Sequence, residues 1–345
     1  MFIKDLVSKY DPERQFDVLI NSYEQIEYVK NNQYSLSSID ASKIKNVIVT
    51  GLGGSAIGGD VISNLFKEEL NIPYFVNRNY NLPQFVNENT LVVLSSYSGN
   101  TEETISAAKD ALERNAQIIA VTTGGKILEF ANQNNIPCVV LKKGYQPRYS
   151  LYLNMFSVAK AFEVIGLISL TTEQLDSYSN LLKRKGEEYS SEDNLAFKIA
   201  ESLVGFIPVI YSCDSFTNAV GLRLKGQFNE NSKVHAFHNV FPELNHNEII
   251  GWETQNENQL RTKAIMIKDD SYHPQVKKRY EITSQLIEKS SAEIIALKSS
   301  LNDYKLRLID LIYLGDWISY YLAILRGKDP SEIDYIHHLK KELAK

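Results

Sequence analysis

Short apolar runs alternate with longer amphipathic segments along this chain. In the first half the apolar runs are NVIVT (46–50), PYFVN (73–77), TLVVLSS (90–96), QIIAVTT (117–123) and IPCVVL (136–141). Short apolar runs separated by helical segments are typical of buried strands in a parallel sheet that helices cover on both faces. The alternation therefore predicts an α/β fold.

The second half repeats this plan. Its predicted strands are IPVIYS (207–212), TKAIMIKDD (262–270) and AEIIALKS (292–299), and helical stretches cover roughly 151–205 and 303–345. We therefore predict two α/β domains of similar topology, over residues 1–155 and 156–345, related by duplication. The C-terminal stretch is broken by GKDPSE, and Ser331 is predicted as the N-cap of the last helix.

Composition and charge exclude several classes of protein. The 345 residues include 43% hydrophobic side chains, the net charge is -5, and no basic run predicts nucleic-acid binding. No signal peptide is recognised, and no apolar run approaches the roughly 18 residues that span a bilayer. The two cysteines, Cys138 and Cys213, each lie beside apolar residues and predict buried thiols in a reducing compartment. We expect a cytoplasmic protein without nucleic-acid or membrane partners.

The glycine-rich segment GLGGSAIGG (51–59) follows a predicted strand and precedes a helix. Gly51, Gly53 and Ala56 fit a dinucleotide-binding pattern, but the second strand ends at Asn77 and Arg78, without the acidic residue that binds a ribose. An NADP site could use the arginine instead. This loop has two other interpretations. One is a tightly packed turn that binds no ligand, and the other is an anion site at the helix N-terminus.

A second polar loop, SSYSGNTEET (95–104), follows the most apolar strand of the first half. Ser96, Ser98 and Thr101 offer hydroxyl donors, and Gly99 permits an unusual backbone conformation. Two such loops at the carboxyl ends of neighbouring parallel strands would converge on one crevice, which suits a phosphate monoester. Thr101 is also predicted as a helix N-cap, which leaves Ser96 and Ser98 unexplained.

These two loops together resemble a sugar isomerase (SIS) domain, a module that binds phosphosugars. The segments NRNYNLPQFV, QPRYSLYLN, QFNENSK, PELNHNEIIGWE and IHHLKKEL follow in the order of the bifunctional phosphoglucose/phosphomannose isomerases. The resemblance covers most of the chain and implies two SIS-type domains, each a mainly parallel sheet flanked by helices, with a helical C-terminus. PRYSLY departs from the family, which is expected to carry smaller residues after Arg148.

The resemblance implies an aldose–ketose isomerase that interconverts glucose 6-phosphate or mannose 6-phosphate with fructose 6-phosphate through a cis-enediolate. It implies no metal or other cofactor, and a homodimer whose partner subunit supplies a histidine to each site. The implied catalytic residues are Glu230 as the base, His246 for ring opening, Arg148 beside the enediolate and Lys340 near the sugar ring. The implied phosphate contacts are Gly54, Ser55, Ser96, Ser98 and Thr101.

Other functions remain open at this point. A SIS protein can bind phosphosugars without catalysis, an amino-sugar phosphate can be the isomerase substrate, and an NADP-dependent reductase fits the first loop alone. A metal site could also be drawn from the histidine-rich segment, whose candidate ligands are His235, His238, Glu243, His246 and Glu248. Pro242 interrupts that segment and no recognised ligand spacing is present, so we predict no metal.

Overall fold

The computed structural model describes residues 2–255 and 260–343. The chain forms two compact units: the first unit is residues 21–183, and the second unit combines residues 1–20 with 184–345. The domain boundary predicted between residues 155 and 156 falls inside a helix, Leu151–Val164, that belongs wholly to the first unit.

Helices and strands follow one another as the alternation predicts. In chain order they are α1 (Ile3–Tyr10), α2 (Gln15–Ile20), α3 (Tyr23–Asn31), β1 (Asn46–Thr50), α4 (Gly54–Leu65), β2 (Tyr74–Asn77), β3 (Thr90–Ser96), α5 (Glu102–Glu113), β4 (Gln117–Thr122), α6 (Gly125–Gln133), β5 (Cys138–Val140), α7 (Leu151–Val164), α8 (Thr172–Tyr189), α9 (Leu195–Leu203), β6 (Ile207–Cys213), α10 (Asn218–Glu230), β7 (Phe237–Phe241), β8 (Thr262–Lys268), α11 (Pro274–Lys289), β9 (Ile294–Lys298), α12 (Tyr304–Leu325) and α13 (Asp334–Leu343). Short 3-10 helices cover Ala41–Lys43, Pro147–Tyr149, Glu243–His246 and Glu248–Trp252.

The first unit contains a five-stranded parallel sheet in the order β2-β1-β3-β4-β5. Every residue of β3 is buried, as expected for a strand covered on both faces. The chain winds outward from β1 to β2 and then returns to β3 on the other side of β1. The strand order therefore reverses between β1 and β3, and the crevice outside their carboxyl ends is the usual ligand site of such sheets.

The second unit contains a four-stranded parallel sheet in the order β7-β6-β8-β9. This is the order of the first four strands in the first unit, so the predicted similarity of topology is confirmed. The sequence did not predict β7, whose segment Phe237–Phe241 is only partly buried at the edge of the sheet.

Helix α12 forms the centre of the second unit and is buried around its whole circumference. Two arginine–aspartate pairs join α12 to neighbouring elements through paired hydrogen bonds: α12 supplies the aspartate of one pair and the arginine of the other. Arg223 on α10 donates to both carboxylate oxygens of Asp316 at 2.9 and 3.0 Å. Arg307 donates to both oxygens of Asp269, which follows β8, at 2.7 and 3.0 Å. Paired donors of this kind satisfy buried charges that would otherwise be costly.

Among the described residues, α12 is also the one helix whose length and apolar composition would allow it to cross a membrane. The sequence showed no apolar run of this length, because Asp310 and Asp316 interrupt the apolar residues of α12. Its most apolar window is 94% buried, which is what the core helix of a folded unit requires.

The N-terminal helices pack on α12 although they are distant in sequence. Tyr320 donates to the Asp11 carboxylate at 2.8 Å, and Tyr313 donates to the Leu19 carbonyl at 2.6 Å. The last helix, α13, begins at Asp334 rather than directly after Ser331, whose buried side chain precedes the helix by three positions.

Candidate active site

Two loops meet where the strand order of the first sheet reverses. One follows β1 and runs from Gly51 into α4; the other follows β3 and runs into α5. A Cβ atom on Gly51 would lie 2.5 Å from the carbonyl oxygen of Ser95, so the backbones touch and only glycine fits there. The predicted convergence of the two loops on one crevice is confirmed.

Both helices that leave these loops begin without a side-chain cap. Gly53, before α4, has no side chain, and in the described chain the Thr101 side chain, before α5, accepts no hydrogen bond from the first turn. Thr101 does occupy the predicted N-cap position, but its hydroxyl lies 3.0 Å from the Ser96 hydroxyl instead. The Ser55 N–H of α4 donates to the Leu52 carbonyl at 3.1 Å, and the positive ends of the two helix dipoles favour an anion.

Three of the four serines in these loops, Ser55, Ser96 and Ser98, are held in the same way. A backbone N–H donates to each hydroxyl oxygen: Tyr97 N–H to Ser55 at 3.2 Å, Gly99 N–H to Ser96 at 3.1 Å, and Asn100 N–H to Ser98 at 3.3 Å. A hydroxyl that accepts one bond still has its own hydrogen to donate. The hydroxyls of Ser55 and Ser98 thus keep a hydrogen that can be donated to a ligand, while the Ser96 hydroxyl shares its second bond with Thr101.

A third loop, between β4 and α6, supports the second one. A Cβ on Gly99 would lie 1.7 Å from the carbonyl oxygen of Gly124, and Thr123 donates to the Tyr97 carbonyl at 2.8 Å. Sequence reasoning missed this loop. Its signal is the pair of threonines followed by two glycines at the end of an apolar strand.

Arg148, which the resemblance implies beside the enediolate, lies near the first loop. It sits in the 3-10 helix Pro147–Tyr149 and is buried, and its guanidinium lies 5.5 Å from the Tyr149 ring centre. A Cβ on Gly54 would be 2.6 Å from the Pro147 carbonyl oxygen. The missing side chain at Gly54 thus lets the arginine's backbone approach the N-terminus of α4.

Glu230 belongs to the second unit, where it is the last residue of α10 and partly buried. The residues after it are fastened to α12. Asn231 donates from its amide to the Ser319 hydroxyl at 3.0 Å, and Ser232 donates to the Ser319 carbonyl at 2.6 Å. The carboxylate therefore extends from a helix end whose position is fixed by the core.

His246 and Lys340 are both exposed in the second unit. His246 ends the 3-10 helix Glu243–His246, and Lys340 lies on α13, which has no buried residue. Of the predicted site residues, the first unit brings Arg148 together with the two loops that carry the predicted phosphate contacts, while Glu230, His246 and Lys340 belong to the other unit.

The histidine-rich segment is engaged in other contacts. His238 on β7 has its Nε2 2.7 Å from the Ser212 hydroxyl, and burial, together with the charge of Lys225, lowers the pKa of His238 to about 4. Glu248 accepts a hydrogen bond from the Tyr211 hydroxyl at 2.8 Å. Across residues 2–255 and 260–343, no three or more metal-ligating side chains gather at one point.

Arg78, the residue that an NADP site would use, forms an ion pair with Asp60 of α4. Asn77 before it donates to the Thr50 hydroxyl at 3.2 Å. Asn77 and Arg78, at the end of β2, are thus held by side chains of β1 and α4.

Comparison with known proteins places this geometry in a family. The SIS domain model matches residues 41–164, and the model of the bacterial phospho-glucose isomerase C-terminal SIS domain matches residues 192–343. The bifunctional phosphoglucose/phosphomannose isomerase of Caldicellulosiruptor bescii is 39% identical over 95% of this chain and 98% of its own length. The chain belongs to the bifunctional phosphoglucose/phosphomannose isomerase family.

Other relatives agree with this assignment. The family member of Aquifex aeolicus is 36% identical over 91% of this chain and 96% of its own length. A hypothetical protein of Thermus thermophilus shares the fold, with a TM-score of 0.75 at 15% identity over 99% of this chain and 92% of that one. The predicted pair of SIS domains in a bifunctional phosphoglucose/phosphomannose isomerase is therefore confirmed.

Proposed function

We propose that the protein is a metal-independent aldose–ketose isomerase that interconverts glucose 6-phosphate or mannose 6-phosphate with fructose 6-phosphate. Relatives that bear these two activities in their names match nearly the whole chain. The observation that carries the proposal is the set of three serine hydroxyls, each oriented by a backbone N–H, beside two uncapped helix N-termini. This arrangement suits the dianionic phosphate of a sugar phosphate.

The reaction needs a base that takes a proton from C2 and returns it to C1. Glu230 has this role in the proposal, because a carboxylate can take a proton from one carbon and return it to the next. Removing the C2 proton places negative charge on the enediolate oxygens. Arg148, whose guanidinium is always charged, would stabilise that charge.

Glucose 6-phosphate and mannose 6-phosphate differ only in configuration at C2, and they share one enediolate. A site that lets the open chain rotate about the C2–C3 bond therefore processes both. In the proposal His246 moves the proton that opens the sugar ring, since an imidazole can both accept and donate a proton. Lys340 is proposed to act near the ring. His246 is proposed to serve the site of a partner subunit in a homodimer.

The test is a coupled assay on EDTA-treated protein whose metal content has been measured. Fructose 6-phosphate is supplied and glucose 6-phosphate is read through its dehydrogenase; mannose 6-phosphate is then supplied together with a separate phosphoglucose isomerase. We expect both substrates to turn over. Loss of activity on EDTA treatment and its return with zinc would contradict metal independence.

The assay also separates the other functions. Turnover of neither substrate, while both raise the melting temperature, would indicate a phosphosugar-binding protein without catalysis. A change in NADPH absorbance in the absence of the coupling dehydrogenase would instead favour the reductase.

A further inference from the structure

Tyr97 lies between the two serines of the second loop, and its backbone is bonded to both neighbouring loops. Its N–H donates to the Ser55 hydroxyl at 3.2 Å. Its carbonyl accepts two hydrogen bonds from Thr123, one from the N–H at 3.1 Å and one from the hydroxyl at 2.8 Å. These bonds fix the backbone of Tyr97 relative to the first loop, which carries Ser55, and to the third loop, which carries Thr123.

The side chain of Tyr97 is buried and reaches a different segment. Its hydroxyl donates to the Lys142 carbonyl at 3.0 Å and accepts the Tyr145 N–H at 2.9 Å. Burial raises the pKa of the Tyr97 phenol, so it stays protonated and keeps both bonds at neutral pH. One phenol thus closes the turn between Lys142 and Tyr145.

That turn leads directly into the 3-10 helix that contains Arg148. The far end of the helix is held as well, because Gln25 donates to the Tyr149 carbonyl at 2.7 Å. Gln25 lies on α3, whereas Tyr97 belongs to the second loop. The phenol of Tyr97 therefore links the turn that leads to Arg148 with the loop that carries Ser96 and Ser98.

We propose that Tyr97 is a positioning residue: it sets the distance between the phosphate-binding serines and the segment that carries Arg148. The inference rests on the proposed isomerase function. Its consequence is specific, because phosphate binding depends on the serines and the loop backbone, which the phenol does not touch. Loss of the phenol would displace Arg148, which is proposed to stabilise the enediolate, and would leave phosphate binding by the serines unchanged.

The test is Tyr97→Phe in the full-length protein, with kcat and KM measured for fructose 6-phosphate. We expect kcat to fall roughly tenfold, because a small misplacement of a catalytic group costs rate steeply. We expect KM, and the inhibition constant of inorganic phosphate, to change less than about twofold, since the serine donors are unaltered.

Tyr28→Phe is the matched control. It removes a phenol of the same unit that also donates to a backbone carbonyl, that of Val140 at 3.2 Å, outside the loops. Its kcat and KM should equal those of the wild type. An unchanged kcat in Tyr97→Phe would overturn the proposal, as would equal losses in kcat and in phosphate affinity, which would show that the phenol only supports the unit as a whole.

A second variant keeps the proposal testable if Tyr97→Phe does not fold. Tyr97→His also removes the phenol that bonds the Lys142 carbonyl and the Tyr145 N–H but keeps a polar ring at this position. It should also lower kcat more than it raises KM, and a wild-type kcat would contradict the proposal. If the wild-type protein itself has no isomerase activity, the proposed function fails and this inference fails with it; an active wild type with unaltered variants refutes the inference alone.

Discussion

At the scale of single residues, Ser98 gives the most direct test of the phosphate site. Its hydroxyl is exposed and is oriented by the Asn100 N–H. Ser98→Ala removes a donor to a charged group, which is worth about 1.5–3 kcal/mol, so KM for fructose 6-phosphate should rise roughly 10- to 100-fold with a smaller change in kcat. Ser63→Ala, which removes a hydroxyl on α4 bonded to the Asp60 carbonyl, should leave KM unchanged. An unaltered KM in Ser98→Ala would remove Ser98 from the site.

Glu230→Gln tests the proposed base. The substitution preserves shape at a helix end that Asn231 and Ser232 fasten to α12, but an amide cannot accept the C2 proton. We expect kcat to fall by roughly 10²- to 10⁴-fold, while phosphosugars still raise the melting temperature as in the wild type. Glu201→Gln, an exposed glutamate on α9, is the control. Wild-type turnover in Glu230→Gln would refute the mechanism.

The sequence located the hydroxyl-rich second loop but not the bonds that hold it. Ser96, Ser98 and Thr101 were singled out because hydroxyls cluster between an apolar run and a helix. Tyr97 and Thr123 were not, because their hydrogen bonds join segments that are separated by 26 or more positions. No local pattern encodes a contact of that range.

At the scale of elements, contact between two loops makes Gly99 indispensable. Its φ is 72°, and a Cβ there would lie 1.7 Å from the Gly124 carbonyl oxygen. Gly99→Ala should therefore lower the free energy of unfolding by more than the about 1–2 kcal/mol that a left-handed backbone alone costs, and should weaken phosphosugar binding. Gly166→Ala separates the two effects, since φ is 79° there and no described atom lies within 4 Å of the added Cβ. Equal melting temperatures for the two variants would contradict the packing argument.

The elements differ in how well their sequences specify them. β1 and β3 occupy the predicted bounds, because their continuous apolar runs are flanked by polar loops. β7 lies at a sheet edge and mixes histidine and asparagine with apolar residues, so no periodicity identified it. The predicted helical stretch 151–205 is three helices, because Gly166 adopts a positive φ after the first and Asn194 caps the third by accepting the Phe197 N–H at 2.8 Å.

At the scale of the whole molecule, the similarity of the two units was predictable and the extent of each unit was not. The repeated alternation of apolar runs and helices indicated two domains of similar topology, and both sheets share the order of their first four strands, although β7 was not predicted. Residues 1–20 fold with the second unit through bonds such as that from Tyr320 to Asp11. A unit that combines two separate stretches of sequence cannot be recognised from a single boundary along the chain.

The proposed homodimer makes a prediction of its own at this scale. If each site combines Glu230 of one subunit with His246 of the other, a heterodimer of Glu230→Gln and His246→Ala contains one wild-type site and one doubly altered site. After equal amounts are mixed and subunits exchange, about half of the dimers are mixed, so the two inactive variants should together recover about a quarter of wild-type activity. The coupled assay measures the recovery against time. If each site instead takes both residues from one subunit, every site stays impaired, and mixing would restore no activity even where mass spectrometry shows that heterodimers have formed.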